Sequence, residues 1–350
     1  MSNPLMASGS DAGLGAGAGA VSGVDAVADA VAGTGAGTGA GAATGGATLP
    51  GVPRRTLVMG ILNVTEDSFS DGGSNPDTET AVKNALRMIE QGADIIDIGG
   101  ESTRPGATRI QARQEEQRVV SVIAELRDHP AVSGNNILLS VDTMRASTAR
   151  AAVEAGAHII NDVSGGLADE EMLEVAAQTG ALLCLMHWKT PEGTPEFTGA
   201  QGAADHGDDV VAHVQEWLQD RADEALAAGI APENLILDPG IGFAKTPEEN
   251  WTLLGATKQF TGMGFPVLIG ASRKRFLAAL HPREDGQPSS PREADEATAA
   301  LSALSAQAGA WAVRVHDVAA SRAAVDVAYA VASGTGEHIA EDWRNRLHTQ

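Results

Sequence analysis

Eight short apolar runs, each ending in a polar and mostly glycine-bearing segment, constrain this 350-residue chain more than any other feature. The first passes into MGILNVTEDSFSDGG (59–73). The others end in DIGGESTRPGA (97–107), SVDT (140–143), NDVSGG (161–166), LMHW (185–188), DPGIGF (238–243), IGASRKRF (269–276) and RVHDV (314–318). A near-continuous apolar run is how a strand buried on both faces reads, and polar residues at its carboxyl end are placed to meet a ligand. Between the runs lie segments of helical period. At 78–91, Val82, Leu86 and Ile89 share one face and Gly92 follows as a stop signal. At 114–128, Val119, Val122, Ile123 and Leu126 do the same. Further helices are expected at 145–155, 169–179, 208–228, 246–260, 292–309 and 318–332, with the eighth strand at about 311–315 closing the ring. This alternation predicts an α/β chain folded as a (β/α)8 TIM barrel rather than an open sheet.

Such a barrel takes roughly 250 residues, so the surplus lies at the front. Residues 1–49 are nearly all Gly, Ala, Ser, Thr and Val, and such a segment buries too little apolar surface to offset chain entropy. It is expected to be a disordered, low-complexity tail preceding a barrel at 50–350. Without a basic start or a continuous apolar stretch, it does not read as a secretory signal. No apolar run reaches the ~20 residues needed to span a bilayer. The net charge of −22 argues against nucleic acid and anionic membrane as partners. The single cysteine, Cys184, sits within an apolar run, reads as a small buried hydrophobe and suits a reducing cytoplasm.

Asp142, Asn161 and Asp238 end three of the runs. A barrel interior is normally filled by branched apolar side chains, so three such groups together point to a pocket for a planar heterocycle with a guanidine-like edge. Singly, each would read as a turn or capping residue. A second group, Asn63, Thr103, Arg104, Lys274, Arg314 and His316 with Gly99 and Gly100, has the makings of an anion site, phosphate above all. Arg314 and His316 are two apart and therefore point to the same side of one strand. Arg273 and Arg275 read equally as a solvated helix start. There is no Cys/His metal cluster, no serine elbow and no Walker-type loop, so catalysis by positioning and charge stabilisation is expected. If a diphosphate is bound, Mg2+ held by phosphate oxygens, water and one neutral ligand such as Asn63 is physically sensible.

Taken in order over about 57–332, MGILNVTEDSFSDGG, DIGGESTRPGA, SVDT, NDVSGG, DPGIGFAKT, GASRKRF and RVHDV resemble dihydropteroate synthases. These are pterin-binding (β/α)8 barrels that join 4-aminobenzoate to (7,8-dihydropterin-6-yl)methyl diphosphate with release of diphosphate. The resemblance implies that Asp142, Asn161, Asp238 and Lys274 hold the pterin. It implies that Asn63, Thr103, Arg314 and His316 hold the diphosphate and its Mg2+, with Asn63 as metal ligand. Loops bearing Phe69 and Asp71, and Arg104 and Pro105, would close over the site; Phe69, Pro105, Ser272 and Arg275 would form the aminobenzoate pocket. Asp71, Arg104 and Lys274 are the catalytic residues it implies, and a cytoplasmic homodimer is the expected state. Two departures stand out: Glu66 replaces a family proline, and Arg275 replaces a family serine, so another donor must meet the aminobenzoate carboxylate. The segment after His187 carries no assigned role. Related methyltransferase domains would keep the Asp/Asn/Asp pocket without a diphosphate clamp, and a non-catalytic pterin-binding paralogue is the other rival.

Overall fold

The computed structural model describes residues 55–64, 76–101, 110–192 and 203–335. The expected tail at 1–49, its boundary with the barrel, and Glu66, Phe69, Asp71, Thr103, Arg104 and Pro105 lie outside the described residues. Eight strands form one parallel sheet: β1 (Leu57–Asn63), β2 (Ile95–Gly99), β3 (Leu138–Asp142), β4 (Ile159–Asp162), β5 (Leu182–Met186), β6 (Leu235–Asp238), β7 (Leu268–Ile269) and β8 (Ala312–Val315). Neighbours run in the order β6-β5-β4-β3-β2-β1-β8-β7, and a parallel bridge between Leu237 and Val267 joins β6 to β7, so the sheet closes on itself. Closure leaves no edge to cap.

The helices are α1 (Pro76–Glu90), α2 (Ala112–Arg127), α3 (Pro130–Ser133), α4 (Ala146–Ala155), α5 (Met172–Thr179), α6 (Val210–Ala227), α7 (Pro247–Gly255), α8 (Thr257–Thr261), α9 (Arg275–Ala278), α10 (Asp295–Gln307) and α11 (Val318–Ser333). The eight expected spans are met to within a few residues, the short α3 and α9 stand outside them, and one expected helix is divided. The helix anticipated at 246–260 is broken at Ala256. The Thr257 hydroxyl bonds Leu254 O at 2.7 Å, and Ala256 carries φ −92° and ψ 8°. A threonine that bonds the preceding turn competes with the backbone ladder. The start of α7 is firmly fixed: Thr246 Oγ1 accepts from Glu249 N–H, Glu249 Oε2 accepts from Thr246 N–H, and Pro247 occupies the first turn.

Strand alternation sorts side chains into two sets. Val58, Leu62, Ile96, Ile98, Leu139, Val141, Ile160, Leu183 and Val313 face outward and pack under the helices. Leu57, Met59, Ile95, Leu138, Ile159, Leu182, Cys184, Ile236, Leu268 and Ala312 face inward as a second apolar cluster. At outward-facing Gly60 a Cβ would meet Met88 Sδ and Val318 Cγ2 at 3.1 Å. Lack of a side chain there lets α1 and α11 lie close against β1. The apolar inner cluster fills the amino-terminal end of the barrel. Above it the inward positions turn polar.

Candidate active site

Two residues beyond Ile95, the same inward parity places Asp97; beyond Leu138 come Ser140 and Asp142, and beyond Ile159, Ile236 and Ala312 come Asn161, Asp238 and Arg314. Asp97 is completely buried. Its Oδ1 accepts from Ser140 Oγ at 2.6 Å, and its Oδ2 accepts from Arg314 Nε at 2.6 Å and Asn161 Nδ2 at 3.1 Å. Arg314 reaches on to Asp142, with Nη2 to Oδ2 at 2.6 Å. One guanidinium thus ties β2, β3 and β8 together through two carboxylates. Arg314, expected at the diphosphate, and Asp142, expected at the heterocycle, form one ion-paired unit. Asp97 was missed as a site residue, although its parity with Asp142 was a signal. The Arg314 side chain is 21% exposed, whereas Asp97 beneath it is completely buried.

Charge in this layer follows from burial. Desolvation raises Asp142 to about 7, opposed by Arg314 and reinforced by Asp97, Glu115 and Asp162. For Arg314 burial acts downward, but Asp97 and Asp142 outweigh it and the net shift is upward. Asp238 is also raised by burial, against the Gly240 N–H that donates to its Oδ1 at 2.7 Å and the neighbouring Lys274. Gly99 and Gly270 border these carboxylates without side chains. A Cβ at Gly99 would lie 3.5 Å from Asp142 Cβ, and one at Gly270 would lie 3.6 Å from Asp238 Oδ2. Side chains there would fill the space over the acids.

Lys274 stands at the N-cap position of α9 and reaches across to the 238–243 loop. Its Nζ donates to Ile241 O and lies 4.0 Å from the centroid of the Phe243 ring. Burial lowers its pKa to about 7, opposed by Asp238 and assisted by Arg314. Gly242, at φ +77°, is needed beneath it, because a Cβ would lie 2.2 Å from Lys274 Cδ. Arg273 is not the solvated helix start that one reading allowed. Its Nε and Nη2 bond the Asp295 carboxylate of α10, each at 2.7 Å. Arg275 is exposed on the first turn of α9. Ser272, expected beside Arg275 in the aminobenzoate pocket, is buried and bonded to His316 at 3.0 Å. Asn63 is half-buried at the carboxyl end of β1, paired in register with Gly99.

A second buried lysine was not among the expected site residues. Lys245 Nζ lies 2.9 Å from His187 Nδ1 and donates to Gly240 O at 2.9 Å and Phe243 O at 3.3 Å. Burial lowers its pKa to about 7, assisted by Lys274 and opposed by Asp238 and Glu249. Lys245 staples the loop that carries Asp238, Ile241 and Phe243, so His187 and GFAKT belong to the architecture of the site. Glu115, buried on α2, accepts from Thr143 Oγ1 at 2.6 Å and from Arg145, whose other nitrogen bonds Glu101 at 2.9 Å and Ile110 O at 3.0 Å. Arg145 therefore grips both described ends of the segment joining β2 to α2. Among the described residues no three His, Cys, Asp or Glu side chains are arranged to hold a metal.

A model of the family described as pterin binding enzyme matches residues 59–316. Dihydropteroate synthase from Mycobacterium leprae is 47% identical over 270 residues, which cover 77% of this chain and 91% of that protein. A solved dihydropteroate synthase from Xanthomonas albilineans with 4-aminobenzoic acid is 42% identical with a TM-score of 0.68, covering 79% of this chain and 93% of that one. Another from the same organism, in complex with 7,8-dihydropteroate, is 40% identical with a TM-score of 0.66, covering 79% and 94%.

Proposed function

The chain belongs to the pterin-binding enzyme family and functions as a dihydropteroate synthase in folate biosynthesis, and from that premise we propose how its residues divide the reaction. The substrates are (7,8-dihydropterin-6-yl)methyl diphosphate and 4-aminobenzoate; the products are 7,8-dihydropteroate and diphosphate. The observation that carries the residue assignment is the polar layer over an apolar barrel floor, with Asp142, Asn161, Asp238 and Lys274 around one mouth.

In this reading the pterin lies flat in the mouth. The Asp142 and Asp238 carboxylates accept from its N–H groups, Asn161 reads an adjacent edge, and Lys274 donates to a ring oxygen or nitrogen. Arg314 keeps Asp142 in place and, with its exposed part and with His316, faces the diphosphate. The C–O bond between the methylene and the diphosphate breaks with its electron pair going to the leaving group. The amine lone pair of 4-aminobenzoate forms the new C–N bond, and the resulting acidic aryl ammonium passes its proton to water or to the released diphosphate. Positive charge developing on the methylene is met by a carboxylate, and the resemblance assigns that role to Asp71. Arg104 is assigned by the same resemblance to loop closure, with Phe69 and Pro105 against the aminobenzoate ring and Thr103 on the diphosphate.

Arg273 is held by Asp295 and Ser272 by His316, so Arg275 is the cation assigned to the aminobenzoate carboxylate. Mg2+ fits this donor set only as an ion brought largely by the diphosphate, because Asn63 offers a single neutral oxygen. It would neutralise charge on the leaving group. Apolar Leu304, Val327 and Val331 are exposed on α10 and α11, which pack on each other, and this is where a second copy would dock to form a homodimer. The buried, unpaired Cys184 fits a reducing cytoplasm.

The test is diphosphate release from the purified chain with Mg2+, with and without 4-aminobenzoate. Release coupled to dihydropteroate formation, and at least tenfold slower in Asp142→Ala and Lys274→Ala, about one charge-assisted hydrogen bond, supports the assignment. Pterin binding without turnover would indicate a non-catalytic paralogue, and turnover retained in both variants would refute the pocket.

A further inference from the structure

The turn after β7 and the end of β8 meet at one hydroxyl. Ser272 Oγ accepts the backbone N–H of His316 at 3.1 Å and lies 3.0 Å from His316 Nδ1. A serine hydroxyl has one proton to donate. That proton has one acceptor in reach among the described residues, Nδ1, and a nearly buried hydroxyl is satisfied by donating to it. An imidazole nitrogen that accepts must carry its lone pair, so the ring proton resides on Nε2. We propose that Ser272 is a positioning residue that fixes His316 as the Nε2–H tautomer, presenting an N–H donor to the diphosphate oxygens.

The rest of the turn is built to hold Ser272 in place. Arg273 adopts φ +59°, a left-handed conformation costly for a residue with a side chain. Its ion pair with Asp295 and its backbone N–H to Thr298 Oγ1 at 3.4 Å hold the turn against α10. Ser272 is 7% exposed, so its hydroxyl is largely shielded from competing water. Parity places Arg314 and His316 on one side of the chain. Arg314 is engaged by Asp97 and Asp142, and a neutral N–H beside it adds a directed hydrogen bond without a second buried cation. The fixed tautomer makes His316 a hydrogen-bond donor to the leaving group rather than the base that takes the amine proton.

The functional half of this inference rests on the assignment of His316 to the diphosphate, and the test separates the two. The full chain with nitrogen-15-labelled histidine is examined by imidazole correlation spectra, with His316→Gln identifying the His316 signals by difference. The unmodified chain is expected to show the Nε2–H form, Ser272→Ala a mixture of tautomers, and Ser272→Thr the original form. Inorganic diphosphate, titrated as the probe, should bind Ser272→Ala about 2- to 12-fold more weakly, the effect of one hydrogen bond, with Ser272→Thr recovering most of the loss. An Nδ1–H ring in the unmodified chain, or an unchanged spectrum in Ser272→Ala, overturns the tautomer assignment. A changed tautomer with unchanged diphosphate affinity overturns the positioning role. Absence of turnover in the unmodified chain would instead refute the proposed reaction, which the spectra do not depend on.

Discussion

Ile95, Ile159, Ile236 and Ala312 lie in the apolar floor of the barrel, and Asp97, Asn161, Asp238 and Arg314 lie two residues further along the same four strands. The backbone is the same in both layers, and so is the burial of most members. What differs is how each side chain is satisfied. Floor residues need only neighbours, and burying each isoleucine stabilises the fold by roughly 1.5–3 kcal/mol. Residues of the polar layer need matched partners: Asp97 takes three hydrogen bonds from three strands, whereas Asp142 shares Arg314 and keeps acceptor capacity toward the mouth. The comparison teaches that the floor is held by packing alone, whereas the mouth can hold charges that would be costly elsewhere because each is matched by a partner.

The largest effect should come from breaking the polar layer at its most buried member. Asp97→Ala removes the carboxylate on which Arg314, Asn161 and Ser140 converge, and is expected to lower unfolding free energy by about 3–5 kcal/mol in urea titrations. A loss below about 1 kcal/mol would show that Asp97 is not the anchor of the layer. In the floor, Ile159→Ala should cost about 2–5 kcal/mol through the cavity it leaves, while kcat/KM per folded molecule stays near that of the unmodified chain. A specific collapse of activity there would break the division between the two ends.

Lys274→Met should leave stability nearly intact and lower kcat/KM by about 10- to 150-fold, corresponding to one charge-assisted hydrogen bond of about 1.5–3 kcal/mol. The same layer should make pterin binding depend on pH. Burial raises Asp142 to about 7, so its carboxylate is lost as pH falls through neutrality; burial lowers Lys274 to about 7, so its ammonium is lost as pH rises through neutrality. Affinity is expected to peak near neutral pH, with Asp142→Asn removing the acid limb and Lys274→Met the alkaline one. A flat profile from about pH 6 to about pH 8 in the unmodified chain would contradict this. The smallest effect is expected at Cys184. Cys184→Ala should cost about 1 kcal/mol and leave turnover unchanged, and the native thiol should resist alkylation, since it is fully buried with a pKa well above its ordinary value.

Much of this is legible in the sequence. Eight apolar runs with polar carboxyl ends correspond to eight parallel strands, and Asp142, Asn161, Asp238 and Arg314 lie where strand parity puts them. Parity also held the position of Asp97, yet without its partners an aspartate in DIGG reads as a turn former. Lys245 and Ser272 were harder to read. Each acts on a neighbour distant in sequence, His187 in the one case and His316 in the other. The break at Ala256 depends on a threonine that bonds backward, a choice that helical periodicity does not record.

The sequence by itself determined the barrel and which strand ends are polar, because side-chain alternation along a strand and apolar period along a helix are local properties of the chain. Tertiary structure alone decided which charges meet. Arg314 pairs with Asp97 and Asp142 only after β8 closes beside β1 and the mouths of β2 and β3 come within reach. Arg273, Arg275 and Lys274 are adjacent in sequence but end in an ion pair, on an exposed first turn and over an aromatic ring. Charge pairing and desolvation depend on distances through space, and ring closure sets those distances.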